Sequence, residues 1–163
     1  MIKFPKIQST PFSKHFAGAW YRLVNILRKY TEHFPLTSDG ADLVDGELVY
    51  ASGDRLMDRT DTLSEAGAMC IGVTCEPTLD GEQGVIRTGG LAWVLFEAGI
   101  VTPAPAAGQT VFTATTPGRA NNRVPELGGW TVPIGTIEDA STYDSLGGCY
   151  VNINRCCVPE EID

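Results

Sequence analysis

Hydrophobic residues recur every three or four positions near the start of the chain. They fall at Phe12, Phe16, Trp20, Leu23, Leu27, Tyr30 and Phe34. Steps of this size place side chains on one face of an α-helix. Thr10 and Pro11 directly precede the series and are typical of a helix start, because proline fits the first helical turn. The pattern predicts a short amphipathic helix that ends by Tyr30, within an N-terminal arm of residues 1–39.

From residue 40 onward, the helical period gives way to short alternating runs of apolar and polar residues. The runs occupy residues 47–51, 69–74, 84–88, 91–96, 110–115, 132–137 and 148–154. Val, Ile, Thr and aromatic residues dominate them, which is typical of β-strands. Gly89-Gly90 predicts a two-residue hairpin, and Asp80-Gly81 predicts a second turn. Residues 40–163 are therefore predicted to form an all-β domain, a small barrel or sandwich.

The second half of this β region repeats the first. GELVYAS (residues 46–52) is matched by GQTVFTAT (108–115), and IGVTCEPTLDGEQGVIR (71–87) by IGTIEDASTYDSLGGCYVN (134–152). The offset is 62 residues for the first pair of segments and 63 for the second. Convergent strand-turn composition is the alternative explanation, but two matches at nearly one offset favour a duplicated strand unit. We expect two superposable halves, about residues 46–88 and 108–152, with Ile71 and Ile134 in equivalent strands.

Charge also divides the chain. Residues 1–30 contain no acidic residue and six basic ones: Lys3, Lys6, Lys14, Arg22, Arg28 and Lys29. Residues 31–163 hold the other 6 basic residues and all 20 acidic ones, a formal charge of −14. Such asymmetry indicates that the arm meets something acidic. Nucleic acid, a membrane surface, a neighbouring copy and a partner protein would all satisfy that charge.

The arm supplies the candidate partner-binding residues. The predicted apolar anchors are Phe16, Trp20, Leu23 and Leu27, and the predicted basic rim is Arg22, Arg28 and Lys29. Aromatic and arginine side chains are the usual anchors of protein interfaces. We expect the arm to mediate assembly on a neighbouring subunit or another protein. The alternative is a helix that packs on the β domain of its own chain.

Residues with catalytic chemistry are sparse in the β region. Both histidines, His15 and His33, lie in the arm, and 18 residues of helix would separate them by ~27 Å, too far to share a metal. A β region without histidine lacks the commonest general base, so a Ser or Cys there has no imidazole to activate it. Paired carboxylates remain open in principle, but no pair is singled out. We expect no catalytic residues and no enzymatic activity.

No cofactor or metal site is predicted either. Cys70 and Cys75 would face opposite sides of one strand, and Cys156-Cys157 does not match a zinc spacing. The five cysteines are therefore expected to be small buried or reduced thiols, with their oxidation state left open by the sequence. The segment DRLMDRTD (residues 54–61) lacks the mid-loop glycine of a calcium site and is predicted to be a solvated acidic loop. No apolar run is long enough for a membrane span, and no basic aromatic groove suits nucleic acid, so neither partner is expected.

The order of the β motifs resembles a known family. GELVYASGDRLM, AGAMCIGVTCE, GVIRTGGLAWV, an Ala/Pro-rich link, AGQTVFTAT and IGTIEDA together resemble the small β-barrel capsid decoration (cement) proteins of tailed bacteriophages. The resemblance covers residues 44–155, leaves out the arm, and carries over no functional side chain. It implies a virion protein on the outer capsid surface, made in the host cytoplasm, which binds the major capsid protein and forms a homotrimer. A tail or fibre-associated subunit, a ligand-binding or enzymatic β-barrel, and a carbohydrate-binding module are the alternatives.

Overall fold

The computed structural model describes residues 33–98, 103–124, 129–154 and 160–162. The elements in chain order are β1 (His33–Ser38), β2 (Leu48–Gly53), β3 (Leu56–Arg59), α1 (Glu65–Ala68), β4 (Gly72–Thr74), β5 (Gln83–Arg87), β6 (Gly90–Leu95), β7 (Thr110–Thr113), β8 (Ala120–Asn121), β9 (Gly129–Thr131), β10 (Pro133–Asp139), α2 (Tyr143–Leu146), β11 (Gly148–Ile153) and β12 (Glu160–Ile162). The prediction of an all-β protein is confirmed.

The first five strands close into a barrel, which we call barrel 1. Its strand order is β1-β3-β2-β4-β5, and the pairing of β1 with β5 completes the circle. Only the β1–β3 pair is parallel. Alternate residues of the strands point inward, because successive side chains of a strand face opposite sides. The core of barrel 1 is formed by Leu43, Val49, Met57 and Ile86, with Leu36 and Ile71 packed against them.

Five later strands form a second sheet, which we call sheet 2, in the order β6-β11-β10-β7-β8. Its strand pairs are antiparallel, and an isolated parallel bridge between Phe96 and Ala120 joins its two outer edges. Its main hydrophobic cluster also contains Leu48 and Val73 from barrel 1 and Ala68 from α1. The two sheets therefore share this cluster, while the interior of barrel 1 forms a second, separate one. Strands β9 and β12 pair with each other in a separate ladder.

Barrel 1 and sheet 2 have the same topology. Read across its bridge, sheet 2 runs β6-β8-β7-β10-β11, which matches β1-β3-β2-β4-β5 strand for strand and in every pairing direction. Ile71 directly precedes β4, and Ile134 lies in β10, the strand that holds the same place in sheet 2. The repeated unit is wider than the sequence pattern indicates, because it also includes β1 and β6.

Three details differ from the sequence expectations. The expected arm of residues 1–39 contains β1, which lies inside barrel 1 between β3 and β5, so the barrel begins at His33. Gly89-Gly90 does not form a hairpin, because β5 and β6 are not paired; these glycines lead the chain from barrel 1 to sheet 2. Residues 54–61 are not a solvated loop, because they contain β3 and the fully buried side chain of Met57.

Candidate functional site

The predicted partner-binding residues lie outside the described residues. They are Phe16, Trp20, Arg22, Leu23, Leu27, Arg28 and Lys29. Their binding role stays a prediction. Within the described ranges, the feature that combines a cleft, buried charge and exposed aromatic side chains is the junction between barrel 1 and sheet 2.

The junction is built around a glycine turn that each half of the chain repeats. Gly46 precedes β2 with φ +82°, and Gly108 precedes β7 with φ +86°, a conformation that favours glycine. The next residue closes the turn in both halves. An Oε of Glu47 accepts a hydrogen bond from the backbone N–H three residues earlier at 2.9 Å, and Oε1 of Gln109 does the same at 2.8 Å. The duplication therefore extends to individual side-chain hydrogen bonds.

The two turns differ in charge. Arg59 Nε lies 3.1 Å from both carboxylate oxygens of Glu47, whose side chain is only 3% exposed. In the second half, Asn122 Nδ2 takes the place of that guanidinium and lies 3.0 Å from Gln109 Oε1. An ion pair in the first half thus corresponds to a neutral amide pair in the second. Arg119 from sheet 2 also approaches Glu47, with 4.0 Å between Nη2 and Oε1.

Backbone hydrogen bonds insert the first turn into sheet 2. The amide of Leu95 donates to Gly46 O, and the amide of Leu48 donates to Gly118 O, each at 2.8 Å. Gly118 in turn donates to Thr60 O at 2.8 Å. The turn therefore lies between the end of β6 and the loop that leads into β8. Because the turn is inserted there, β6 and β8 are joined by a single bridge. The equivalent strands of barrel 1, β1 and β3, have no inserted turn and form a ladder.

Trp93 fills the space beside this turn. A Cβ atom at Gly46 would lie 2.6 Å from the Trp93 ring, and one at Gly148 would lie 2.7 Å from it, so both glycines are needed for the ring to fit. Trp93 Nε1 is buried and has no hydrogen-bond partner among the described residues. The indole therefore packs between two backbone segments from different sheets.

A cleft of about 190 Å³ opens next to Trp93. Its lining residues are Asp45, Val73, Thr74, Cys75, Arg87, Ala92, Trp93 and Tyr150. Clefts that bind small molecules usually measure roughly 300–1,000 Å³, so this one suits a single inserted side chain better than a whole substrate.

The electrostatics of the cleft do not favour a nucleophile. Burial raises the pKa of the Cys75 thiol, and the nearby Arg87 guanidinium offsets that rise only in part. The thiolate is the reactive form of cysteine, so this shift disfavours Cys75 as a nucleophile. Burial also raises the pKa of Asp45, against a hydrogen bond from the Gly46 backbone that lowers it. The cleft contains groups suited to contact rather than to covalent chemistry.

Two exposed apolar side chains lie on the solvent face of β6 and β11, and one of them, Tyr150, lines the cleft. Leu91 is 50% exposed and Tyr150 is 39% exposed. Tyr150 pairs across the sheet with Trp93. Sequence reasoning missed this surface because its two strands are far apart in the chain. The available signal was the alternation of LAWVL, which places Leu91 and Trp93 on the face opposite to the core residues Ala92 and Val94.

Within the described ranges, no group of three His, Cys, Asp or Glu side chains is placed to hold a metal ion. No helix in those ranges is long and apolar enough to cross a bilayer. Comparison with protein-family models gives no match, and comparison with curated proteins gives none either.

Proposed function

We propose that this chain is a structural virion protein that binds the outer surface of a phage capsid and stabilises contacts between major capsid subunits. The proposal is based on one observation. The residues of the motifs that resemble the decoration proteins occupy turn, core and close-contact positions of barrel 1. Gly46 makes the turn before β2, and Val49 is fully buried in the core. Gly72 allows close strand approach, because a Cβ there would lie 2.7 Å from Arg87 O. The resemblance therefore rests on residues that specify a small β-barrel.

Two surface properties support a role in assembly. Tyr, Trp and Arg side chains meet at the cleft beside exposed Leu91, and these three residue types are the commonest interface anchors. The basic arm is joined to a body of opposite charge, which favours encounter with acidic surfaces, including other copies of the body. The proposed partners are the major capsid protein and further copies of this chain, in a homotrimer.

Co-sedimentation with capsids tests the function. The full-length chain is mixed with capsids assembled from the major capsid protein encoded in the same genome. A second sample lacks residues 1–31, and the deletion stops there because β1 begins at His33 and closes barrel 1. We expect saturable binding of the full-length chain, and a folded deletion variant that neither binds nor trimerises. Absence of full-length binding contradicts the function, and undiminished binding of the folded deletion variant contradicts the role of the arm.

The salt dependence of the association rate tests the role of the basic rim. Rim charges accelerate association and are screened by salt, so added salt is expected to slow binding of the wild-type chain. The triple variant Arg22→Gln, Arg28→Gln, Lys29→Gln should bind slowly at low salt and respond little to added salt. Arg123→Gln, at an exposed position of the body, is the control and should behave as the wild type. Equal salt dependence in all three proteins would show that the rim is not used.

A further inference from the structure

The cleft between barrel 1 and sheet 2 is lined by two side chains of opposite charge. Asp45 and Arg87 both act on the thiol of Cys75: the carboxylate raises the pKa of that thiol, and the guanidinium lowers it. The two formal charges cancel. A cationic side chain that enters the cleft is opposed by Arg87, and an anionic one by Asp45, because like charges across an interface oppose association. The cleft therefore favours a neutral side chain.

The two charged groups differ in their existing contacts. The guanidinium of Arg87 donates a hydrogen bond from Nη1 to Leu91 O. Asp45 is exposed and has no ion-pair partner in the described part of the chain, where both ion pairs are made by Glu47. The Gly46 N–H donates to the Asp45 carboxylate, which keeps further lone pairs for a ligand. Asp45 therefore offers a hydrogen-bond acceptor to an entering group.

The other walls of the cleft are aromatic and aliphatic. Val73 and Ala92 are buried, and Trp93 pairs across β6 and β11 with the half-exposed Tyr150. Aromatic rings pack edge to face or offset against one another, and an arginine guanidinium such as that of Arg87 stacks on a ring. An aromatic body therefore matches these walls better than a flexible polar chain does.

We infer that the cleft binds a tyrosine side chain of a partner protein, with the ring against Trp93 and Tyr150 and the hydroxyl donating to Asp45. Tyrosine is uncharged at neutral pH and carries one O–H donor on an aromatic ring. Its phenol is smaller than the indole of tryptophan, which suits a cleft of about 190 Å³. The identity of the partner as a capsid subunit rests on the proposed function, whereas the chemistry of the cleft does not.

Titration of the isotope-labelled full-length chain with N-acetyl-tyrosinamide tests the inference. NMR follows the backbone amides of Thr74, Cys75 and Ala92 and the indole N–H of Trp93, and we expect saturable shifts there. N-acetyl-phenylalaninamide should bind about tenfold more weakly, because it cannot donate a hydrogen bond to the charged acceptor. N-acetyl-argininamide should also bind more weakly than the tyrosine derivative, because Arg87 opposes its charge.

Substitution of the acceptor separates the hydrogen bond from the packing of the ring. In Asp45→Ala, the tyrosine and phenylalanine derivatives should bind equally, because the carboxylate that distinguishes them is gone. Asp54→Ala removes an exposed carboxylate beyond the opposite end of β2 and is the matched control. It should keep the preference for tyrosine. Because Asp45 and Asp54 are both exposed, both variants should fold and give the wild-type amide spectrum away from the substitution.

Four results would overturn the inference. They are the absence of saturable shifts at the cleft with the tyrosine derivative, equal binding of the tyrosine and phenylalanine derivatives to the wild type, a preference for tyrosine that persists in Asp45→Ala, and binding of the arginine derivative as tight as that of tyrosine. The titration contains no capsids, so its failure and a failure to bind capsids are distinguishable.

Discussion

At the scale of single residues, Gly46 and Gly108 have the same backbone conformation and different surroundings. Their φ angles are +82° and +86°, so an L side chain at either position would be strained. Only Gly46 also faces an aromatic ring, with 2.6 Å between its potential Cβ and Trp93. This pair of positions separates the cost of backbone conformation from the cost of steric overlap.

Alanine substitution at the two glycines is expected to give unequal losses of stability. Gly108→Ala should lower the free energy of unfolding by about 1 kcal/mol, because its only cost is the left-handed backbone. Gly46→Ala should lose a further ~1–3 kcal/mol, because the added methyl forces Trp93 to move. Urea unfolding of the two variants measures both values. Equal losses would mean that Trp93 does not pack on the Gly46 turn.

At the scale of elements, the glycine turns that precede the hairpins β2–β3 and β7–β8 are closed by different pairs of side chains. In the first, the buried Glu47 forms an ion pair with Arg59, whose side chain is 33% exposed. In the second, Gln109 and Asn122 form a neutral pair. Only the charged version receives a residue from the other sheet, Arg119. The ion pair therefore lies where two elements from different halves meet.

Truncation of the two acceptor side chains, Glu47 and Gln109, should lower the free energy of unfolding by different amounts. Glu47→Ala is expected to destabilise the protein by about 2 kcal/mol, because it removes hydrogen bonds that are made to a charged carboxylate. Gln109→Ala should cost about 1 kcal/mol, the value of a typical hydrogen bond. Glu47→Gln, which copies the second half, should fall between them. Urea unfolding at one pH measures all three, and equal costs for the two alanine variants would contradict the difference in chemistry.

At the scale of the whole molecule, barrel 1 and sheet 2 share the larger of two hydrophobic clusters, although barrel 1 also has a smaller cluster of its own. Leu48 and Val73 of barrel 1 belong to the same buried cluster as Val94 and Val151 of sheet 2. Each half therefore leaves apolar surface that the other half covers. This arrangement resembles one domain made of two similar parts rather than two domains joined by a linker.

Because both halves contribute to one hydrophobic cluster, we predict that they unfold together. Val151→Ala in sheet 2 is expected to cost about 2 kcal/mol through the cavity it leaves. Native-state hydrogen exchange should show the same loss at the slowest amides of barrel 1, such as Ile86, as at those of sheet 2. Val49→Ala, in the core of barrel 1, is the reciprocal variant. A loss confined to the mutated half would show that the halves unfold separately.

Much of this architecture is readable from the sequence. All seven predicted strand runs contain strands, because alternation and β-branched composition are local properties of a segment. Strand β1 was missed because HFPLTS follows the helical series and contains Pro35. Strand β3 was missed because charged residues flank its short apolar pair, Leu56 and Met57. Pairing with the distant strand β5 stabilises β1, whereas β3 is held by its hairpin with β2 and by β1.

The sequence by itself determined the fold class and the repeat of strands and glycine turns, since each depends on residues close together in the chain. The tertiary structure alone decided which of two similar turns is covered. The Gly46 turn contacts Trp93, 47 positions further along the chain, whereas the Gly108 turn faces solvent. Leu48 is buried in the shared cluster and its counterpart Thr110 is exposed, so the two segments differ in polarity, but the contact itself depends on how the two sheets pack.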